Sequence, residues 1–134
     1  MRYRLLKDTG DLKIKVYGRT YTEIFNNAVY AMSMSIIKVH NPKIEVEKNI
    51  ELHTNNYESL LINLLNDVLF YFETQDTLFF NSKLNVDDFY GVTGKLLGMH
   101  IPEKVNYEYI IKAATYHDLE IMPDKNHAII VFDI

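Results

Sequence analysis

Leu60-Leu61-Ile62-Asn63-Leu64-Leu65-Asn66-Asp67-Val68-Leu69-Phe70-Tyr71-Phe72 is the stretch on which the fold turns. Leu60, Leu61, Leu64, Leu65, Val68, Leu69 and Phe72 recur with the 3.6-residue period of a helix and make one apolar stripe. Ile62, Phe70 and Tyr71 add apolar surface on other sides, so this helix is expected to be the central core element. Asn55 or Asn56 can cap its start, with Glu58 in the first turn where the helix dipole favours a carboxylate.

Working toward the N-terminus, Ile44, Val46, Ile50 and Leu52 share one face of an extended segment, with Lys48 as the exception. Before it, Thr20 stands three residues ahead of Glu23, the spacing of a capping box. Apolar residues at 21, 24, 25, 28, 29, 32 and 36 then form a second helical stripe, and Asn41-Pro42 closes that region. Met32 and Met34 fall in this helix as packing or rim residues. Leu12, Ile14 and Val16 alternate with Lys13, Lys15 and Tyr17, the pattern of a half-buried strand ended by Gly18.

Toward the C-terminus the chain reads as strands. Leu78-Phe79-Phe80 leads to Leu84 and Val86, Asp87-Asp88 forms a turn, and Tyr90 to Leu97 resumes. Gly91, Gly94 and Gly98 suggest bulges or an irregular edge there. Val105, Tyr107, Tyr109, Ile111 and Ala113 share a face and predict a strand that Thr115 to Ile121 continues or re-forms. Pro123-Asp124-Lys125-Asn126 turns into a final strand, Ala128 to Asp133. Two helices and about seven strands, grouped rather than alternating, indicate one α+β domain over residues 1–134: two helices packed on a mainly antiparallel sheet.

With 48% hydrophobic and 24% charged residues, the 134-residue chain has an ordinary globular balance. No apolar run approaches the roughly 18–20 residues that cross a bilayer, and no signal peptide is visible, so neither membrane nor export is expected. The absence of cysteine excludes disulfides, thiolate metal sites and cysteine catalysis, and is consistent with a cytoplasmic protein. The net charge of −4, with 14 basic residues spread along the chain, argues against nucleic acid as a direct ligand and favours a protein partner.

The chemistry gathers at the end of the chain. A strand that closes on Asp133 and Ile134 offers a side-chain carboxylate and an α-carboxylate at one place, donors suited to Ca²⁺ or Mg²⁺ if a third carboxylate arrives. Asp8-Thr9-Gly10-Asp11 is the candidate source. If Asp11, Asp133 and the Ile134 terminus converge, they repel one another and each pKa rises unless a cation neutralises them. The other reading makes Asp11 a turn residue and Asp133 a solvated end. The histidines, at 40, 53, 100, 117 and 127, lack zinc-ligand spacing, and His117 can simply be a polar residue at a strand end. No G-x-S-x-G, P-loop or G-x-G-x-x-G occurs.

Three segments together resemble the archease family. Lys7-Asp8-Thr9-Gly10-Asp11-Leu12-Lys13-Ile14-Lys15-Val16-Tyr17-Gly18 is similar to the family opening H-T-x-D-hydrophobic-G with its following strand. Leu60 to Asp76 resembles the second helix with its L-N-E-L-L core and F-D-T sequel. Ile111-Lys112-Ala113-Ala114-Thr115-Tyr116-His117-Asp118-Leu119 resembles K-A-x-T-Y-H-x-L, and the chain ends F-D-I as many archeases do. The resemblance implies a non-enzymatic cytoplasmic helper that promotes guanylylation and multiple turnover of the RtcB-type RNA-splicing ligase in tRNA splicing. It also implies a divalent cation, commonly Ca²⁺ with Mg²⁺ or Mn²⁺ as alternatives, on Asp11, Asp133 and Ile134. Asp8 replaces the usual His and Lys13 the usual Gly. Asp8 and His117 are therefore candidates for the metal or for groups around it, and the ligase-contacting surface is left open. A monomer is expected.

Two other functions compete. A general chaperone or protein-binding module with a structural metal site would need a large exposed apolar patch. A metal-dependent hydrolase would need a general base beside the cation, and none stands out.

Overall fold

The computed structural model describes all 134 residues. In chain order the elements are β1 (Tyr3–Lys7), β2 (Asp11–Tyr17), α1 (Tyr21–Ile36), β3 (Val46–His53), α2 (Tyr57–Gln75), β4 (Thr77–Val86), β5 (Gly91–His100), β6 (Ala113–Met122) and β7 (His127–Asp133), with a 3-10 turn at Pro123–Lys125. The α+β architecture of two helices and seven strands is the one expected. The strands divide into a four-stranded sheet, β1-β2-β7-β6, and a three-stranded sheet, β3-β5-β4. Every pairing is antiparallel.

The caps explain where the helices begin. Thr20 Oγ1 accepts from the Glu23 amide at 3.1 Å, and Asn56 Oδ1 accepts from the Ser59 amide at 2.7 Å. Each bond satisfies one of the amides that a helix start leaves without a partner. Leu60, Leu61, Leu64 and Leu65 are fully buried, and α2 touches both sheets, as the stripe predicts. The α1 helix also touches both sheets. A single cluster of 30 buried residues therefore runs through the molecule.

Two asparagines attach the helices to sheet edges. Asn26 of α1 accepts from the Leu84 amide at 3.0 Å and donates to the Leu84 carbonyl at 3.1 Å. Asn66 of α2 accepts from the Ala114 amide at 2.8 Å and donates to the Ala114 carbonyl at 3.3 Å. Each carboxamide thus substitutes for a neighbouring strand at an edge, β4 in one sheet and β6 in the other.

Two expectations are corrected and one strand is added. Residues 101–112 form no strand. The Glu108 and Tyr109 amides instead donate to the carbonyls of Ile36 at 2.9 Å and Ser35 at 3.2 Å, covering the last turn of α1. Alternation there reflects an extended segment that buries Ile111 and part of Tyr109 without a ladder partner. The glycine-bearing strand is central, not an edge, since β5 lies between β3 and β4, while the expected bulge is present where the β4 register slips between Phe79, opposite Gly98, and Asn81, opposite Leu97. A side chain at Gly94, whose φ is +142°, would strike the Lys83 carbonyl of β4, so the glycine permits close strand approach. Finally, β1 is a strand that the periodicity does not announce, because four of its five residues are exposed. Lys48, the exception in β3, is explained by the ring of Tyr71, 4.5 Å from its ammonium.

Candidate metal centre

Burying Leu12, Ile14 and Val16 of β2 sends Asp11 to the opposite face, because strand side chains alternate. The same parity in β7 buries Phe132 and leaves Asp133 exposed. In the ladder Asp11 is the direct partner of Asp133, one step beyond the buried Leu12–Phe132 pair. Antiparallel partners have Cβ atoms roughly 4.5–5.5 Å apart, and like charges so placed repel. No ion pair or side-chain hydrogen bond compensates either carboxylate. On its other side the Asp133 carbonyl accepts from the Lys112 amide at 2.8 Å, so the chain entering β6 braces the end of β7. Ile134 follows and packs on the core.

The remaining candidates are placed differently. Asp8 lies in the turn between β1 and β2, and its Oδ2 accepts from the Tyr109 hydroxyl at 2.8 Å. That bond holds the phenol protonated and pushes its pKa above the usual value. Tyr109 was not singled out in the sequence: alternation marks it as inward-facing, but nothing there reveals a partner 101 residues away. His117 sits in an irregular stretch of β6 between Thr115, opposite Val131, and Glu120, opposite Ile129. Its Nε2 lies 3.2 Å from Oδ2 of the adjacent Asp118, whose φ of +50° marks the distortion. No third histidine or carboxylate side chain gathers with Asp11 and Asp133. Lys13, two residues beyond Asp11 on the same face, lines a shallow cavity with Asp118, Leu119, Glu120 and Ile129.

Residues 3–134 match the archease protein family. The chain belongs to the archease family. Protein archease of Thermoplasma volcanium is 38% identical over 134 residues, covering all of both chains. Protein archease of Thermoplasma acidophilum is 35% identical, covering all of this chain and 94% of the relative. Protein archease of Pyrococcus furiosus is 33% identical, covering 87% of this chain and 86% of that one. The fold matches the solution structure of Methanobacterium thermoautotrophicum protein 1598, with a TM-score of 0.78, 22% identity and 99% of each chain covered.

At the archease chain end the donor chemistry is that of a hard divalent cation, although no cluster of three acidic or histidine side chains forms there. All the donors are oxygens, two carboxylates already face each other, and neither is engaged by a protein cation. No helix is long and apolar enough to cross a membrane.

Proposed function

We propose that this protein is an accessory factor that activates an RtcB-type RNA-splicing ligase, promoting its guanylylation and multiple turnover, and that it performs no ligation itself. One observation carries the reading: Asp11 and Asp133, opposed like charges without a counter-ion, lie at an exposed sheet end in a member of the archease family. Folding gains nothing from opposing two carboxylates, so their pairing is better explained by a positive ligand. Asp11, Asp133 and the α-carboxylate of Ile134 would hold it, with Ca²⁺ the best match and Mg²⁺ or Mn²⁺ the alternatives. When bound, a cation supplies charge neutralisation and a point of attachment for phosphate oxygens.

The protein's own residues set the geometry. The Leu12–Phe132 pair anchors the two strands, and Lys112 braces Asp133 through its backbone amide. Asp8, held by Tyr109, adds negative charge at the same end. An acidic end of this kind suits the basic, phosphate-binding mouth of a ligase better than it suits RNA. The partner's equilibrium moves only if this surface binds the reactive state better than the resting state.

The test is multiple-turnover RNA ligation by the cognate ligase, with and without this protein, comparing wild type with Asp133→Ala. Stimulation by wild type and its loss in a folded Asp133→Ala supports the reading. No stimulation by folded, Ca²⁺-supplied wild type overturns it.

A further inference from the structure

Beside the acidic end lies an apolar cup of about 240 Å³ lined by Ile36, Phe72, Tyr107, Tyr109, Ile110 and Ile111, with the carboxylate of Glu73 at its margin. Phe72 and Tyr107 meet edge to face, with centroids 6.1 Å apart, and Ile111 is buried beneath the segment. Ile110, by contrast, is 73% exposed. Tyr107 on the same cup is also exposed, so an aliphatic and an aromatic side chain stand together in solvent at its rim, a patch of the kind interfaces use, with a tyrosine of the type that anchors them.

Tyr109 makes the cup and the acidic end one surface. It lines the cup, while its hydroxyl donates to Asp8 in the turn that leads directly into Asp11. Residues 110–112 then run from the cup to Ala113, the ladder partner of Asp133 on its other side. An apolar floor flanked by Glu73 and Asp8 is complementary to an apolar side chain with an arginine or lysine next to it.

We propose that this cup is the anchoring half of the ligase-docking surface, receiving an apolar side chain flanked by basic residues from the ligase. The acidic end acts on the bound partner. The inference rests on the function proposed above, but its failure can be told apart from failure of that function. Divided labour predicts that damage to the cup alters how much protein is needed, whereas damage to the carboxylates alters what the bound protein achieves.

The experiment measures stimulation of ligation against concentration for wild type, Ile110→Glu, the milder Ile110→Ser and Asp133→Ala. Binding of each to the ligase is followed by fluorescence anisotropy, and Ca²⁺ binding by calorimetry. Ile110→Glu is expected to raise the half-maximal concentration roughly tenfold or more. Ile110→Ser should fall between it and wild type, with both variants binding Ca²⁺ as wild type does and approaching full stimulation at saturation. Asp133→Ala should bind the ligase yet fail to stimulate. A wild-type half-maximal concentration for folded Ile110→Glu and Ile110→Ser overturns the proposal while leaving the function standing. Sedimentation showing that Ile110→Glu dissolves a self-dimer without altering ligase binding also overturns it, by assigning the cup to a second copy. Failure of wild type to bind or stimulate the ligase removes both readings together.

Discussion

The backbone register opposes Asp11 and Asp133, and in the proposed function a bound cation offsets their repulsion. Removing one charge should therefore have opposite effects in the two ligand states. With a chelator present, Asp133→Asn is expected to raise stability by up to about 1 kcal/mol, the scale of a directly opposed like-charge pair. With Ca²⁺ in excess, wild type should gain stability in a concentration-dependent way, about 2.7 kcal/mol at a hundred times Kd, and the variant should gain little. Thermal melts with and without Ca²⁺ check both; equal shifts in the two proteins would rule this pair out as the site. A second carboxylate makes a different prediction. Asp87 Oδ1 accepts from the Phe89 amide at 2.8 Å and the Gly91 amide at 2.9 Å, and these bonds lower its pKa below the usual 3.8. Because the folded pKa is depressed, the stabilisation is present above 3.8 and lost as pH falls through the lower folded value. Asp87→Asn should lower stability near neutrality and flatten its decline between about pH 5 and pH 2, read by denaturant unfolding at each pH.

At the scale of elements, the helix-to-sheet attachments are the parts that alternation and stripes do not reveal. Asn66 lies among the residues of the α2 stripe as an ordinary polar interruption, yet both ends of its amide bond to Ala114. Ala114 belongs to the Lys112-Ala113-Ala114-Thr115-Tyr116-His117 segment that carries the family resemblance. Asn66→Ala leaves the buried end of β6 without its partner and is expected to cost about 1–3 kcal/mol. It should also raise amide exchange at Ala114 more than at β2, measured by hydrogen exchange. Protection lost evenly over both strands would show that Asn66 matters only to global stability. The 101–112 segment failed as a predicted strand for a related reason. Its alternation is genuine, but the Glu108 and Tyr109 amides at its centre go to the end of α1 rather than to a ladder, and a hydrogen-bond partner distant in sequence leaves no local signature.

Over the whole molecule, both helices touch both sheets, so neither sheet has a core of its own. Leu64 is fully buried in α2. Leu64→Ala is expected to cost about 2–5 kcal/mol and to unfold both sheets in one transition. Far-ultraviolet dichroism and tyrosine fluorescence should follow a single curve, and separate midpoints would show that the sheets fold independently. The same continuity binds the candidate site to the core, since Leu12 and Phe132 occupy the interior while their neighbours Asp11 and Asp133 emerge at its end.

The elements themselves were legible because hydrophobic period and capping chemistry are local: the α2 stripe, the Thr20 and Asn56 caps, the alternation of β2 and the apolar run of β7 all appear within short windows. Asp11, Asp133 and Ile134 were legible as oxygen donors for the same reason, aided by family resemblance. The facing of Asp11 with Asp133, the grip of Tyr109 on Asp8, the division of seven strands into two sheets and the cup beside the acidic end depended on the folded chain. Each of these joins residues far apart in sequence, and such pairings follow from packing both helices against two sheets at once, a condition that no local window contains.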